Sequence, residues 1–535
     1  MSLDKKQAFM KGALILMIAN IVVKVIGAAF KIPLTYLLDE EGMALFSTSY
    51  TMYTWLFIVA TAGIPVAISR MISESATKGN FKEVKRIFSV SRKLLVGIGI
   101  VGTLVLYFGA DIFSKVLGNP DAAPGIKAIS PAVFFVALMS AYRGYFQGQQ
   151  DMLPTAVSEV SEAVGKLAIG FVCAYLLMKY GVKYSAAGAV FGVAMGGFLG
   201  FITLYGVYVF KKKKSVQTAN SGLVRSNGTI LRELIKIAVP ITLGASVMSL
   251  TTLIDTSMIM HNLSSCGFDY KEAKILYGSY TGYAVPMFNL PPTLISAITI
   301  SLVPAVASAR AEGNIKLARQ TAGNSISITT LFALPCAVGM AVFAEPILAL
   351  VYKNTNATDT LSVLGYAIVF VSLVMVTNAI LQSIGREMVP VINMIIGGIV
   401  KIVVNYVLVR NPHINIVGAP MGTIACYGVI LVLNIIWLIK ELKLKLSPMQ
   451  YIVKPLVSVL IMAVCSLAIY KVIPMASAVK LICAIGVAAI TYVASLLLLR
   501  TINEELLRSI PGMTKFVPVL KKLHLIKSEE NNENR

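Results

Sequence analysis

The sequence is poor in charge for its length. Of 535 residues, 13% are charged and 57% are hydrophobic, and the mean hydropathy is +0.78. About a quarter of the residues of a soluble domain are charged, and a soluble protein this apolar would expose more hydrophobic surface than water tolerates. The composition therefore excludes an ordinary soluble protein.

Histidine and cysteine are scarce and scattered. The three histidines form no cluster, and the six cysteines show no CxxC or metal-ligand spacing. Cysteines inside apolar segments behave as small buried hydrophobic residues. A Walker A pattern is also missing, so this chain alone should not hydrolyse ATP. We expect no metal site, no cofactor and no disulfide framework.

The sequence does contain long runs without charged residues, such as 186–210 and 481–499. They approach or exceed the roughly 20 apolar residues that cross the hydrocarbon core of a bilayer. The sequence predicts an all-α polytopic membrane protein with fourteen spanning helices, near residues 9–37, 43–72, 94–117, 122–147, 154–178, 185–210, 232–260, 276–309, 320–350, 361–384, 389–409, 416–439, 450–470 and 477–499.

The net charge of +22 is unevenly distributed between the connecting loops. If the chain starts in the cytoplasm, Lys and Arg concentrate on the inner loops, with the largest run at Lys211–Lys214. The first outer loop is acidic, at Asp39–Glu41. This is the positive-inside pattern. It predicts that both termini are cytoplasmic, and because the basic charge then sets topology, we expect no nucleic acid partner.

Several motifs recur in the same order, 230 to 240 residues apart: IPVAIS and VPAVAS, Gly79-Asn80 and Gly313-Asn314, Met152–Pro154 and Met388–Pro390, and Gly188–Gly192 and Gly418–Gly422. A shift of six helices preserves the direction of each helix, so the pattern predicts two parallel repeats. We expect an N-lobe at 1–210, a cytoplasmic linker at 211–231, a C-lobe at 232–440, two further helices at 441–500 and a cytoplasmic tail at 501–535.

Ionisable residues inside membrane segments are costly and therefore candidates for function. Lys24 and Lys31 lie seven residues apart, on nearly the same face of the first helix. Two ammonium groups on one face could hold a diphosphate. The alternative for Lys31 is that its side chain extends to the outer interface.

The fifth segment carries Glu159, Glu162 and Lys166, and the i,i+4 spacing of Glu162 and Lys166 allows an ion pair within one helix. In the repeat alignment, Lys401 falls opposite Lys166 to within a residue. These four residues are candidates for substrate binding, and the glutamates also for proton coupling. A structural ion pair is the alternative.

Asp255 is the one acidic residue in the interior of the seventh segment, and it must bind a cation, be protonated or meet a lysine. Asn405 and Thr423 offer neutral oxygens, although such residues are also common in helix packing. The three form a tentative site for a coupling cation, Na⁺ or H⁺. The eighth segment contains Pro286, which with three further prolines predicts a bend, either gating or static.

The arrangement of six, six and two helices resembles the MurJ-type branch of the multidrug/oligosaccharidyl-lipid/polysaccharide exporter superfamily. The motifs at 63–70 and KVIGAAFKIPL in the first helix resemble the SpoVB-like polysaccharide exporters of Gram-positive bacteria. The resemblance implies two six-helix lobes in a V, with helices thirteen and fourteen forming a groove for a lipid tail. It also implies an undecaprenyl-diphosphate-linked sugar as substrate, Lys24 and Lys31 as its headgroup contacts, and Asp255 and Asn405 near a sodium site.

The lipid II flippases carry a basic residue in the second helix and another early in the eighth. In this sequence the first position is occupied by Phe57 or a neighbour, and the stretch 278–283 contains no basic residue. A cation-coupled multidrug exporter on the same scaffold is the main alternative function. A membrane enzyme would need an acidic or histidine cluster on a sizeable outer loop, and the outer loops here are short. We expect a monomeric transporter in the cell membrane. The sequence leaves open whether its role is in vegetative growth or in sporulation.

Overall fold

The computed structural model describes residues 3–214, 224–311, 313–444, 447–472, 477–499 and 501. Positions 215–223 of the predicted linker and 502–535 of the predicted tail lie outside the described residues. Contacts divide the chain into two compact units, residues 1–282 and 283–535. The predicted lobe boundaries stay a prediction.

The described part of the first unit is built from nine α-helices: α1 Leu3–Thr61, α2 Ile64–Thr77, α3 Phe81–Val116, α4 Ala123–Ile129, α5 Pro131–Gly148, α6 Leu153–Leu177, α7 Val182–Lys214, α8 Asn227–Ser265 and α9 Tyr270–Ser279. That of the second unit has eight: α10 Val285–Ala311, α11 Ile315–Val342, α12 Ala344–Tyr352, α13 Thr358–Ser383, α14 Met388–Val409, α15 Gly418–Leu442, α16 Lys454–Val472 and α17 Ser477–Leu498. A π-helical turn, Tyr280–Ala284, precedes α10.

Helix α1 contains the first predicted membrane segment and most of the second, which runs on into α2. Its apolar part, Ile18–Ile58, has 41 residues, about 60 Å of helix at 1.5 Å per residue and about twice the thickness of the hydrocarbon core. Asp39, with φ 49° and ψ −168°, interrupts the helical geometry in the middle. The helix is therefore long enough to cross the membrane twice, with a turn at Asp39, which agrees with the segments predicted at 9–37 and 43–72.

Eleven helices among the described residues are long and apolar enough to cross a membrane. The all-α polytopic fold is confirmed, while the count of fourteen spans stays a prediction. The buried core of the first unit includes Leu34, Ile68, Ile87 and Ile126, each fully buried. In the second unit, α16 and α17 pack against each other and on α11 through a smaller cluster around Tyr492.

The Gly-Asn motif has the same local structure in both units. Gly79 and Gly313 have φ of 72° and 73°, a left-handed conformation that glycine adopts without strain. The Asn80 side chain accepts the Glu83 N–H at 3.2 Å, and that of Asn314 accepts the Leu317 N–H at 3.0 Å. The motif thus ends one helix and caps the next, which explains why it recurs in the duplication.

Candidate functional site

Lys31 is half-buried on α1 and donates a hydrogen bond from Nζ to the carbonyl oxygen of Thr281, at 3.1 Å. Thr281 belongs to the π-helical turn. With π-helical spacing its carbonyl would be paired with the amide of residue 286, and Pro286 has no N–H. The proline thus leaves a backbone acceptor available to a lysine.

Lys166 of α6 lies over two aromatic rings, with Nζ 5.4 Å from the centroid of Phe30 and 4.6 Å from that of Tyr50. Phe30, one of these rings, directly precedes Lys31 on α1. Among the described residues, neither lysine forms an ion pair with a carboxylate. Two ammonium groups from different helices are therefore held close together by neutral groups.

Glu162 pairs with Arg143 of α5 rather than with Lys166. Arg143 Nη2 lies 2.9 Å from Glu162 Oε2, and its Nε donates to Ser158 Oγ at 3.3 Å. The two charged side chains are 15% and 24% exposed. The pairing allowed by the i,i+4 spacing is thus replaced by one between helices, since the fork of an arginine reaches a carboxylate with several donors.

Arg143 is a site residue that the sequence reasoning missed. It lies near one end of the predicted segment 122–147, where a basic residue is also expected from the positive-inside pattern. The available signal was its position inside that apolar segment, where an ionisable group is costly.

Glu159 lies beside this pair, near enough to interact electrostatically with Arg143 and Glu162. Its side chain is half-buried, and its Oε2 is buried without a hydrogen-bond partner among the described residues. A buried polar atom without a partner carries a desolvation cost. The carboxylate therefore has a free acceptor position within the cluster.

Aromatic side chains line the second half of α1. Phe46, Tyr50, Tyr53 and Phe57 follow each other at helical spacing, and neighbouring ring centroids are 5.7–5.8 Å apart. Phe57 ends this aromatic row. One wall of the cluster is thus apolar and polarisable, with Lys166 held on it.

The other predicted residues lie elsewhere. Lys24 is exposed on α1, and Lys401 is half-buried on α14 of the second unit. Asp255 is 8% exposed on α8 of the first unit, whereas Asn405 on α14 and Thr423 on α15 are buried in the second. The structure therefore unites Lys31, Glu159, Glu162 and Lys166 within one unit, and the roles assigned to all nine predicted residues stay predictions.

Lys274 of α9 is a second charged residue that the sequence reasoning passed over, just before the predicted eighth segment. Its side chain is 5% exposed and donates to Glu41 at 2.7 Å and to Asp121 at 3.0 Å. Burial alone lowers the pKa of Lys274, but these hydrogen bonds outweigh it and raise the pKa above its ordinary 10.5. The share of stability that depends on the charge of Lys274 is therefore present at neutral pH and is lost as the pH rises through the raised pKa.

Comparison with known proteins places the chain in a family. The model of the family described as polysaccharide biosynthesis protein matches residues 9–310. The chain belongs to this family. A second model, that of the MatE family, matches residues 280–407.

Two curated relatives come from Bacillus subtilis. Stage V sporulation protein B is 26% identical over 519 residues, covering 96% of this chain and 99% of the relative. Lipid II flippase MurJ is 27% identical over 449 residues, covering 79% of this chain and 82% of the relative. Both are similar over most of their length, as the resemblance in the motifs predicted.

Solved structures show the same fold at low sequence identity. The inward closed conformation of lipid II flippase MurJ superposes with a TM-score of 0.63 at 13% identity, covering 92% of this chain and 98% of that one. An inward-facing multidrug resistance MATE transporter of the MOP superfamily gives 0.65 at 15% identity, covering 80% and 98%. The fold is that of this superfamily, and the two values do not separate a flippase from a drug exporter.

Proposed function

We propose that the protein is a flippase for an undecaprenyl-diphosphate-linked sugar, lipid II or a related cell-wall or polysaccharide precursor. It moves the headgroup from the inner to the outer leaflet by alternating access, while the lipid tail remains in the bilayer. No covalent bond changes, so transport requires charge, shape and conformational change. The family membership and the two Bacillus relatives support this class of function.

The observation that carries the proposal is the pair formed by Lys31 and Lys166. Both ammonium groups are held by neutral groups, a carbonyl and two rings, rather than by carboxylates. A diphosphate can therefore approach them without first breaking an ion pair. As two point charges from different helices, the lysines bind the anion from two sides.

Arg143 and Glu162 then have a supporting role. Their ion pair neutralises two charges close to the lysines and fixes α5 against α6. It leaves an excess of positive charge on Lys31 and Lys166. The cluster therefore favours an anionic headgroup.

For coupling to a cation we propose two separate elements, Asp255 in the first unit and Asn405 with Thr423 in the second. The carboxylate of Asp255 is 8% exposed, and Asn405 is fully buried. Gly422 gives this amide room, since a Cβ at that position would lie 1.8 Å from Asn405 Oδ1. Buried amide and hydroxyl oxygens suit Na⁺, and a buried carboxylate suits H⁺.

The test is the amount of outward-facing lipid II in cells depleted of their own flippases and expressing this chain. We expect the wild type to restore the outer pool, and Lys31→Met and Lys166→Met each to reduce the initial rate at least about tenfold, the equivalent of about 1.4 kcal/mol. Lys179→Met, which removes an exposed lysine from the turn after α6, is the matched control. Repeating the assay with Asp255→Asn, with and without sodium, tests the coupling ion.

Flipping that survives both lysine substitutions would refute the diphosphate site and keep the flippase class. Correct membrane insertion without any flipping would refute lipid II as the substrate. Asp255→Asn that keeps the sodium or pH dependence of the wild type would refute coupling through that carboxylate.

Multidrug export is the second candidate function, since two observations suit a cationic drug. Glu159 has a buried carboxylate oxygen without a hydrogen-bond partner, and an aromatic row runs along α1. Export predicts that expression raises resistance to cationic dyes and that Glu159→Gln abolishes this resistance. Unchanged dye sensitivity in expressing cells would refute it.

A further inference from the structure

A basic and aromatic pocket lies between α3 and α7 of the first unit, with a cavity volume of ≈ 560 Å³. It is lined chiefly by Lys85, Ser89 and Arg92, which follow each other on one face of α3, and by Phe88, Tyr205 and Tyr208. None of these residues belongs to the candidate site described above. The volume suits a small headgroup rather than a macromolecule.

Aromatic rings form the floor of this pocket. Phe88 is buried, with its ring centroid 5.3 Å from that of Tyr208 and 4.6 Å from that of Tyr145. The guanidinium of Arg92 lies over Phe88, 5.7 Å from its centroid. This cation–π contact holds Arg92 at the pocket without consuming its charge.

Among the described residues, no carboxylate forms an ion pair with the basic side chains of the pocket. In the part of the chain that the structure describes, neither Lys85 nor Arg92 forms an ion pair, whereas Glu83 on the same helix pairs with Arg225. An arginine fork and a lysine point charge on one helix face match the oxygens of a phosphate. Hydroxyl groups of Ser89 and Tyr208 supply further donors.

The length of α3 and the predicted membrane segments place the pocket at the expected depth of lipid headgroups. Helix α3 has 36 residues, about 54 Å, and it exceeds the ~30 Å hydrocarbon core by several turns. Lys85 and Arg92 precede the predicted apolar segment 94–117, and on α7 the two tyrosines precede Lys211–Lys214. Tyrosine beside basic residues is typical of the membrane interface, and the positive-inside pattern makes this the cytoplasmic leaflet.

We propose that this pocket binds the phosphodiester headgroup of an anionic phospholipid, such as phosphatidylglycerol, from the cytoplasmic leaflet. Arg92 and Lys85 contact the phosphate oxygens, the hydroxyl groups contact the polar remainder of the headgroup, and the acyl chains stay in the bilayer. The aromatic floor excludes water from one side and strengthens both charge contacts. The site is separate from the proposed transport route and serves a resident lipid.

The test is lipid binding by native mass spectrometry of the full-length protein in detergent, titrated with phosphatidylglycerol and separately with phosphatidylcholine. Lys85 and Arg92 each contact the phosphate directly in this proposal, so loss of both charge-assisted contacts in the double variant K85Q/R92Q should weaken phosphatidylglycerol binding by at least about thirtyfold. The control K82Q/K93Q removes the same charge from exposed positions of the same helix, and we expect it to change binding by less than about threefold.

Equal losses in the two double variants would overturn the proposal, because they would indicate a diffuse electrostatic attraction. Equal binding of phosphatidylcholine and phosphatidylglycerol by the wild type would also overturn it. Displacement of the lipid by millimolar inorganic phosphate would replace the proposed occupant with a free anion. The single variant K85Q changes an exposed side chain and should keep the fold while losing part of the affinity.

Discussion

The charged residues of the first unit are stabilised by three kinds of partner. Lys31 has a backbone carbonyl, Lys166 has two aromatic rings, and Arg143 has a carboxylate. A carbonyl or a ring reduces the cost of burying an ammonium group while keeping its net charge, whereas a carboxylate cancels it. The choice of partner therefore determines which cations remain able to attract an anion.

The Arg143–Glu162 pair gives a prediction at this scale. Removing one partner leaves the other charge mostly buried, which costs about 3 kcal/mol, while removing both avoids that penalty. We expect Arg143→Gln and Glu162→Gln each to lower the thermal unfolding temperature more than the double variant does. Intrinsic fluorescence of the purified protein in nanodiscs measures this.

The matched control is Lys127→Gln, which breaks the pair with Asp111, where the side chains are 40% and 63% exposed. An exposed pair contributes at most about 1 kcal/mol, so its loss should change the unfolding temperature little. If the effects of Arg143→Gln and Glu162→Gln simply add in the double variant, the two charges are not coupled, and the prediction is contradicted.

At the scale of elements, repeated glycines allow pairs of helices to approach closely. A Cβ at Gly192 of α7 would lie 2.2 Å from the Cα of Gly170 of α6, and one at Gly188 would lie 2.7 Å from the Cys173 carbonyl oxygen. In the second unit, a Cβ at Gly418 of α15 would lie 2.7 Å from the amide nitrogen of Val409 of α14. Small residues at helix contacts replace the hydrophobic driving force that is absent within lipid. The repeated motif at 188–192 and 418–422 is thus explained by packing.

Gly192→Ala tests this packing. The added methyl group meets backbone atoms that cannot rotate away, so α6 and α7 must separate, at a cost of about 1–3 kcal/mol. We expect a lower thermal unfolding temperature and less folded protein in the membrane fraction, measured by fluorescence-detected size exclusion.

Gly206→Ala on the same helix is its control, since a Cβ there has nothing within 4 Å. Alanine favours a helix over glycine by up to about 1 kcal/mol, so this substitution should leave stability unchanged or raise it. Similar losses for the two alanine variants would contradict the packing role of Gly192.

For the whole molecule, the loop charges determine the direction in which the chain crosses the membrane. Alternate loops are rich in Lys and Arg, and basic loops stay on the cytoplasmic side. Because the predicted repeats differ by an even number of helices, both inherit the same orientation. Cytoplasmic termini follow from this rule and stay a prediction.

Single cysteines in a cysteine-free background test the topology. Asn411→Cys lies on a predicted outer loop and Glu387→Cys on a predicted inner loop, and both positions are exposed. We expect a membrane-impermeant maleimide to label position 411 but not 387 in intact cells. Inverted vesicles are the control and should show the opposite pattern, whereas labelling of 387 in intact cells would contradict the orientation.

Features carried by local pattern could be predicted from the sequence. Apolar runs predicted the helices, and paired motifs such as Gly79-Asn80 and Gly313-Asn314 predicted two regions with the same local structure. The surroundings of Phe57 and Lys166 were harder to predict, because they are formed by side chains from other helices. Arg143 was missed because a basic residue near a helix end is also what topology requires.

The sequence alone determined that this chain is an all-α membrane protein with a repeated motif pattern, because hydropathy and loop charge act through the bilayer and do not depend on which helices touch. Only the tertiary structure decided that Lys166 lies on aromatic rings and Glu162 pairs with Arg143, since these contacts join α1, α5 and α6. The i,i+4 spacing concerns one helix, whereas the partner of Glu162 in the structure comes from another.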